Sequence, residues 1–128
     1  MSVAYVDTSY LAAILLEEPG AREDRLNRFA SVWSSNLLAA ELLSVIRREG
    51  LEVDREELFH HLRWIFPDRP LNPELALVFA KGNLRGADAW HLACALLLSP
   101  KAEITFLSLD ARQRAVARSL GFAVEPPA

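Results

Sequence analysis

The feature of this sequence that most constrains its fold is an alternation of short apolar runs with longer helix-like segments along 128 residues. Residues 3–6 are rich in β-branched and aromatic side chains, and they predict a buried strand that ends at Asp7. Residues 103–109 form the strongest later strand pattern. Strands that alternate with helices predict a parallel sheet with helices on both faces, so we expect an α/β fold.

Capping residues set several of the predicted helix boundaries. Thr8 or Ser9 is expected to cap the first helix, because short hydroxyl side chains accept hydrogen bonds from the first free backbone N–H groups. Asp54, followed three residues later by Glu57, predicts the start of a helix that runs through Ile65. The predicted strands cover residues 3–6, 31–34, 69–71, 103–109 and 122–124, and the predicted helices cover residues 10–17, 21–29, 37–49, 54–65, 73–81, 88–98 and 111–120.

Composition bounds the class of protein. No linker or repeat divides the chain, so we expect a single domain over residues 1–128. The hydrophobic content of 52% exceeds the roughly 45–50% of ordinary soluble domains, which predicts an apolar surface for a partner or a second copy. No apolar run reaches the ~20 residues of a membrane span, and the N-terminus lacks a signal-peptide pattern. The lone cysteine, Cys94, lies in an apolar segment, so we expect core packing and a cytoplasmic protein.

Four carboxylates lie in unusual places. Asp7 and Asp110 each follow a predicted strand, and a parallel sheet would bring both to the same edge. Asp88 begins an apolar helix after a glycine-flanked loop, and Glu41 has no other charged residue within five positions on either side. Shielded acids that converge would repel one another. A divalent cation such as Mg²⁺ or Mn²⁺ would relieve that repulsion, because hard cations prefer oxygen ligands.

Each of these acids also has a purely structural interpretation. Asp7, Asp88 and Asp110 could cap helices or interact with helix dipoles, and Glu41 could pair with a buried arginine. Capping does not explain why two strand-end acids would share an edge with an isolated helical Glu, so we favour the metal-site hypothesis. His91 follows Asp88 by one helical turn and could reach this site, but its apolar neighbours favour a packed, hydrogen-bonded histidine.

At these acids the sequence resembles the PIN-domain family, and most closely the VapC-type toxins of toxin–antitoxin pairs. The resemblance implies a three-layer α/β/α sandwich with a mainly parallel central sheet, and cleavage of RNA by metal-activated water. The segments that carry it are residues 5–9 (YVDTS), 39–42 (AAEL), 84–93 (LRGADAWHLA) and 106–110 (FLSLD).

The resemblance also implies roles for individual residues. It assigns catalysis and the binding of Mg²⁺ or Mn²⁺ to the four acids, and it places Ser9 and Ser108 where they would hold a carboxylate or a metal-bound water by hydrogen bonds. The acidic positions are Asp7, Glu41, Asp88 and Asp110.

The partners implied by the resemblance are an RNA substrate, a cognate antitoxin and a second copy in a homodimer. Arg48, Arg85 and Arg112 lie near the acidic motifs in sequence and are candidates for contacting RNA phosphates. Ordinary solvated arginines are an equally good interpretation of each, since the net charge of −3 argues against a broad electrostatic grip on nucleic acid. An apolar patch on the predicted helices 37–49 and 54–65, with Trp64 and Phe66, is the expected partner surface.

Two other functions stay open at this point. A PIN-like fold could keep its acids and yet act only by binding a protein. Alternatively, Asp7 followed by Thr8 could mark a phosphotransfer domain, although Ser9 stands where aspartate-nucleophile phosphatases have a second Asp.

Overall fold

The computed structural model describes residues 2–98 and 103–127, and among these residues five strands form one sheet. Every neighbouring pair is parallel, and the strand order is β3-β2-β1-β4-β5. The strands are β1 (Val3–Val6), β2 (Ser31–Ser35), β3 (Leu62–Ile65), β4 (Ile104–Leu107) and β5 (Ala123–Glu125). The helices are α1 (Thr8–Leu15), α2 (Glu23–Leu26), α3 (Asn36–Glu49), α4 (Arg55–Phe59), α5 (Asn72–Lys81), α6 (Gly86–Ala95) and α7 (Ala111–Ser119).

Helices cover both faces of the sheet, and the central strand β1 contributes to both cores. Ala4 and Val6 belong to a buried cluster with side chains of α1 and α3. Tyr5, which points the other way, belongs to a cluster with side chains of α5, α6 and α7, including Cys94. This division follows from the alternation of side chains along a strand. The predicted three-layer α/β/α sandwich is confirmed.

The structure differs from the predictions between residues 54 and 71. Asp54 does cap α4, but the helix ends at Phe59, and β3 forms where the helix was expected to continue. Strand β3 has only four residues and pairs in parallel with β2, and so short an apolar run is a weak signal by itself. The strand predicted at residues 69–71 is wrong: this segment is a loop in which Arg69 pairs with Glu74.

The expected partner surface is only partly exposed. Phe66 is 67% exposed, but Trp64 is half-buried and packs edge-on against Phe59, with ring centroids 5.4 Å apart. Other exposed large apolar side chains lie elsewhere, and Leu77 and Phe79 on α5 are the most exposed of them. No helix in the described part of the chain has the length and apolar character that crossing a membrane would require.

The topology creates a switch point at the carboxyl ends of the strands. Strand β1 has β2 on one side and β4 on the other, so the chain leaves the centre in two opposite directions. Such a switch point opens a crevice beyond the carboxyl ends of the strands, where ligands bind in open α/β sheets. Asp7 and Ser108 directly follow the two paired strands at this switch point, β1 and β4, and the backbone N–H of Asp7 donates to the Leu107 carbonyl at 2.9 Å.

Candidate active site

Asp7 is fixed in place by hydrogen bonds at the switch point. Its side chain is buried, and Oδ2 accepts from the Ser9 hydroxyl at 2.6 Å and from the Ser9 backbone N–H at 3.2 Å. Asp7 is therefore the N-cap of α1, a role that we expected of Thr8 or Ser9. Capping uses Oδ2, whereas the other oxygen, Oδ1, faces His91 Nε2 at 3.7 Å. Asp7 can therefore cap the helix and also take part in a site.

A second group of hydrogen bonds centres on Gln113, a residue that the sequence patterns did not single out. Its side chain is fully buried on α7. The amide nitrogen donates to the Asp88 carbonyl at 3.1 Å and lies 3.5 Å from Asp7 Oδ1, while the Ser108 hydroxyl donates to its amide oxygen at 2.7 Å. The signal for this residue was its spacing, since Gln113 shares the buried face of α7 with Val116 and Ala117.

Replacing Gln113 with Leu is expected to lower the free energy of unfolding by about 1–3 kcal/mol, because buried partners would lose their hydrogen bonds. The Ser108 hydroxyl would lose its nearest acceptor, and the Asp88 carbonyl would lose the hydrogen bond from the amide. Urea denaturation followed by circular dichroism would measure the change. Arg118→Leu, at an exposed position of the same helix, serves as the control and is expected to leave the midpoint unchanged. Equal midpoints for wild type and the Gln113→Leu variant would contradict the assigned role.

Glu41 reaches the same edge from the second turn of α3. Its side chain is 30% exposed, and Oε1 accepts from the Thr8 hydroxyl at 2.7 Å and lies 2.7 Å from His91 Nε2. Burial alone would raise the pKa of Glu41, but the hydrogen bonds with His91 and then with Thr8 outweigh it, so the pKa lies below its ordinary value. The alternative in which a buried arginine pairs with Glu41 is wrong, because histidine and threonine occupy that place.

His91 is fully buried, and its other ring nitrogen, Nδ1, lies 2.7 Å from the Tyr5 hydroxyl. The prediction of a packed, hydrogen-bonded histidine is confirmed. Its hydrogen bond with Glu41, however, could not be predicted from the spacing of the two residues along the chain.

Asp88 and Asp110 complete the acidic edge. Asp110 caps α7, and its Oδ1 accepts from the backbone N–H groups of Arg112 at 2.9 Å and Gln113 at 3.2 Å. Asp88 lies in the first turn of α6 without capping it. Burial raises the pKa of Asp88, and the nearby charges of three other acids raise it further. In decreasing order of effect, those acids are Asp7, Asp110 and Glu41. Asp88 therefore lies within electrostatic reach of each of the other three carboxylates.

The donor set fits a hard divalent cation in chemistry and charge. Within residues 2–98 and 103–127, no arginine or lysine forms an ion pair with any of the four acids, so neither residue type offsets their repulsion. Carboxylate oxygens are the ligands that Mg²⁺ and Mn²⁺ prefer. The same described residues hold no ready-made cluster of three metal-binding side chains. Glu41 instead turns toward His91, and Asp110 turns toward the first N–H groups of α7.

The candidate RNA-binding arginines occupy different positions relative to this edge. Arg85 and Arg112 are exposed and lie at the N-terminal ends of α6 and α7, beside Asp88 and Asp110 in the chain. Arg48 lies two turns beyond Glu41 on α3, where its side chain is 67% exposed and pairs with Glu49 at 3.7 Å. The first two arginines therefore flank the acids, and the third is farther away.

Two cavities lie outside the group of four acids. A shallow cavity of about 390 Å³ lies between Lys81, Asn83 and Arg112, on the side of the site formed by α5 and α7. A more apolar cavity of about 450 Å³ lies at the other edge of the sheet, between α1 and the first residues of β2 and β3. None of the four acids lines this second cavity, so it belongs to a separate surface.

Comparison with known proteins identifies the family. None of the curated proteins matches the chain. The model of the PIN domain family matches residues 4–120, a range that contains all four acids. PIN domains are nuclease domains and generally use divalent metal ions. Since the match covers most of its length, the chain belongs to the PIN-domain family.

Proposed function

We propose that this protein is an endoribonuclease that depends on Mg²⁺ or Mn²⁺ and cleaves RNA phosphodiesters with a metal-activated water. The observation that carries the proposal is the grouping of three other acids around Asp88. Burial raises the pKa of Asp88, and the charges of these acids raise it further. A cluster of carboxylates that no described arginine or lysine pairs with is suited to bind a metal. Such a metal would attract the negatively charged phosphodiesters of an RNA strand.

The residues of the site have two kinds of proposed role, namely metal binding and orientation of the metal ligands. Asp7, Asp88 and Asp110 would hold the cation, together with Glu41. Ser9 and, at a longer distance, Ser108 contact Oδ2 of Asp7, and Gln113 approaches Oδ1. A divalent cation bound here supplies positive charge that lowers the pKa of the attacking water and offsets the charge of the phosphodiester.

Arg85 and Arg112 are proposed to seat RNA phosphates beside the acids, because both are exposed and lie at the helix ends that present Asp88 and Asp110. If so, Arg85→Ala is expected to reduce the slope of log RNA affinity against log salt concentration by about one, because one phosphate contact is lost. Arg48→Ala, at a more distant position, is expected to leave this slope unchanged. Equal salt slopes for wild type and Arg85→Ala would remove Arg85 from the substrate site.

Incubation of the purified protein with labelled RNA and with DNA of the same sequence tests the reaction. We expect RNA cleavage with Mg²⁺ or Mn²⁺, none with EDTA, and recovery when excess metal is restored. Because water and not the 2′-hydroxyl is the proposed nucleophile, the products are expected to lack 2′,3′-cyclic phosphates. Cleavage that persists in EDTA would contradict the metal mechanism. No cleavage under any condition would favour a PIN-like binding module.

We propose further that the enzyme is the toxin of a VapBC-type pair, bound by an antitoxin and assembled as a homodimer. The resemblance to VapC-type toxins and the exposed Phe66, Leu77 and Phe79 support this proposal. Induced expression in a bacterial host is expected to arrest growth, and co-expression of a small protein encoded next to the gene is expected to relieve the arrest. Unaffected growth, with active enzyme present, would indicate a housekeeping nuclease. Light scattering would measure the subunit number.

A further inference from the structure

A buried chain of hydrogen bonds connects the core of the sheet with one of the four acids. It runs from the Tyr5 hydroxyl to His91 Nδ1, 2.7 Å away, and from His91 Nε2 to Glu41 Oε1, also 2.7 Å away. We propose that Tyr5 and His91 are positioning residues that fix the orientation of Glu41 for metal binding. This inference rests on the proposed function, since it assumes that Glu41 binds the cation.

The burial of Tyr5 favours one direction of the hydrogen bonds. Tyr5 is fully buried, and burial is the main reason why its pKa lies well above the ordinary value, so the phenol keeps its proton. Its hydroxyl, which also lies within hydrogen-bond reach of Ser34 and Ser35, can therefore donate to Nδ1 of His91, 2.7 Å away. In the proposed chain it does so. A neutral imidazole that accepts at Nδ1 carries its hydrogen on Nε2. That hydrogen points to Glu41 Oε1, so each link of the chain has one donor and one acceptor.

The two oxygens of Glu41 are consequently not equivalent. Oε1 accepts hydrogen bonds from His91 and from the Thr8 hydroxyl, both at 2.7 Å. Oε2 has no hydrogen-bond partner among the residues that the structure describes. The chain of hydrogen bonds therefore holds one oxygen and presents the other, as hydrogen-bonded partners of metal ligands generally do.

Glu41 needs such support more than two of the other acids do. Asp7 and Asp110 are N-caps, so backbone N–H groups fix both of their short side chains. Glu41 lies in the interior of α3, where the backbone N–H groups are already used, and its longer side chain has more rotatable bonds. Contacts with side chains from other elements are the available means of orienting it.

The experiment compares Tyr5→Phe with Tyr10→Phe, a matched control in which another buried tyrosine loses its hydroxyl away from the acids. Calorimetry would give the Mn²⁺ dissociation constant, thermal unfolding in EDTA would report folding, and ¹⁵N NMR of the imidazole would report its tautomer. We expect a hydrogen on Nε2 of His91 in the wild type. Tyr5→Phe is expected to weaken Mn²⁺ binding about 10-fold, and Tyr10→Phe to leave it unchanged.

Two substitutions of His91 separate positioning from packing. His91→Leu removes the donor to Glu41 and is expected to weaken Mn²⁺ binding by about 10–100-fold. His91→Gln keeps an N–H donor near the position of Nε2 and is expected to restore most of the affinity.

Three results would overturn the inference: Mn²⁺ affinities equal to wild type in folded Tyr5→Phe and His91→Leu, equal losses in His91→Gln and His91→Leu, or a hydrogen on Nδ1 of wild-type His91. Each of these is compatible with a wild-type protein that still binds Mn²⁺ and cleaves RNA. A wild-type protein that does neither would instead overturn the proposed function, so the two failures are distinguishable.

Discussion

Asp7→Asn is expected to reduce metal-dependent RNA cleavage by at least about 100-fold while the protein stays folded. Charge stabilisation by a catalytic metal contributes several kcal/mol to a transition state, and about 1.4 kcal/mol corresponds to a tenfold change in rate. The Asn side chain keeps an oxygen that can accept from Ser9, and Asn is as good an N-cap as Asp. Single-turnover cleavage would measure the rate, and thermal unfolding in EDTA would measure folding.

Asp68→Asn is the matched control for this substitution, because Asp68 is an exposed aspartate in the loop before α5. It removes the same charge and is expected to retain wild-type activity. Full activity of Asp7→Asn would exclude Asp7 from the metal site and with it the proposed mechanism.

Asp88→Asn is expected to change stability and activity in opposite directions. Burial and the neighbouring acids raise the pKa of Asp88 in the folded protein. The folded state therefore holds this proton more tightly than the unfolded chain does, and stability falls as pH rises from the unfolded pKa through the folded pKa. At neutral pH the ionised Asp88 destabilises the metal-free protein. The Asn variant lacks this charge, so we expect it to melt at a higher temperature than wild type in EDTA at pH 7.

Addition of metal is expected to reverse the order. Mn²⁺ at about 100 times its dissociation constant stabilises the folded state by about 2.7 kcal/mol, which raises the melting temperature of a domain of this size by about 10 °C. Asp88→Asn is expected to lose most of this increase, and also RNA cleavage. Melting curves with EDTA and with Mn²⁺ across pH would measure both effects, with Asp68→Asn again as control. A variant less stable than wild type in EDTA would show that Asp88 serves the fold instead.

Local signals account for the parts of the fold and site that the sequence predicted. The apolar run before Asp7 and the longer one before Asp110 are strand patterns, and each is followed within a few residues by a helix cap. Such a strand and its cap can be recognised from a short stretch of sequence. Glu41 stands out because its neighbours are apolar. A parallel arrangement then follows from the alternation of strands and helices, and it brings these acids to one edge.

The parts that were missed depend on contacts between distant segments. Strand β3 is stabilised by its pairing with β2, which lies about 30 residues earlier in the chain. This pairing cannot be recognised from the local sequence pattern of β3. The role of Gln113 on a buried helix face can be recognised only when its hydrogen-bond partners Asp88 and Ser108 are known. The contact of His91 with Glu41 joins residues 50 positions apart, so sequence spacing could predict the burial of His91 but not its partner.

The aspartates that follow β1 and β4 are also the first hydrogen-bond acceptors of the helices that come next. A relative that has lost its chemistry would still need short polar side chains there to begin both helices. We therefore expect inactive members of this lineage to carry Asn or Ser at positions 7 and 110. Position 88, which caps nothing, would accumulate a wider range of residues.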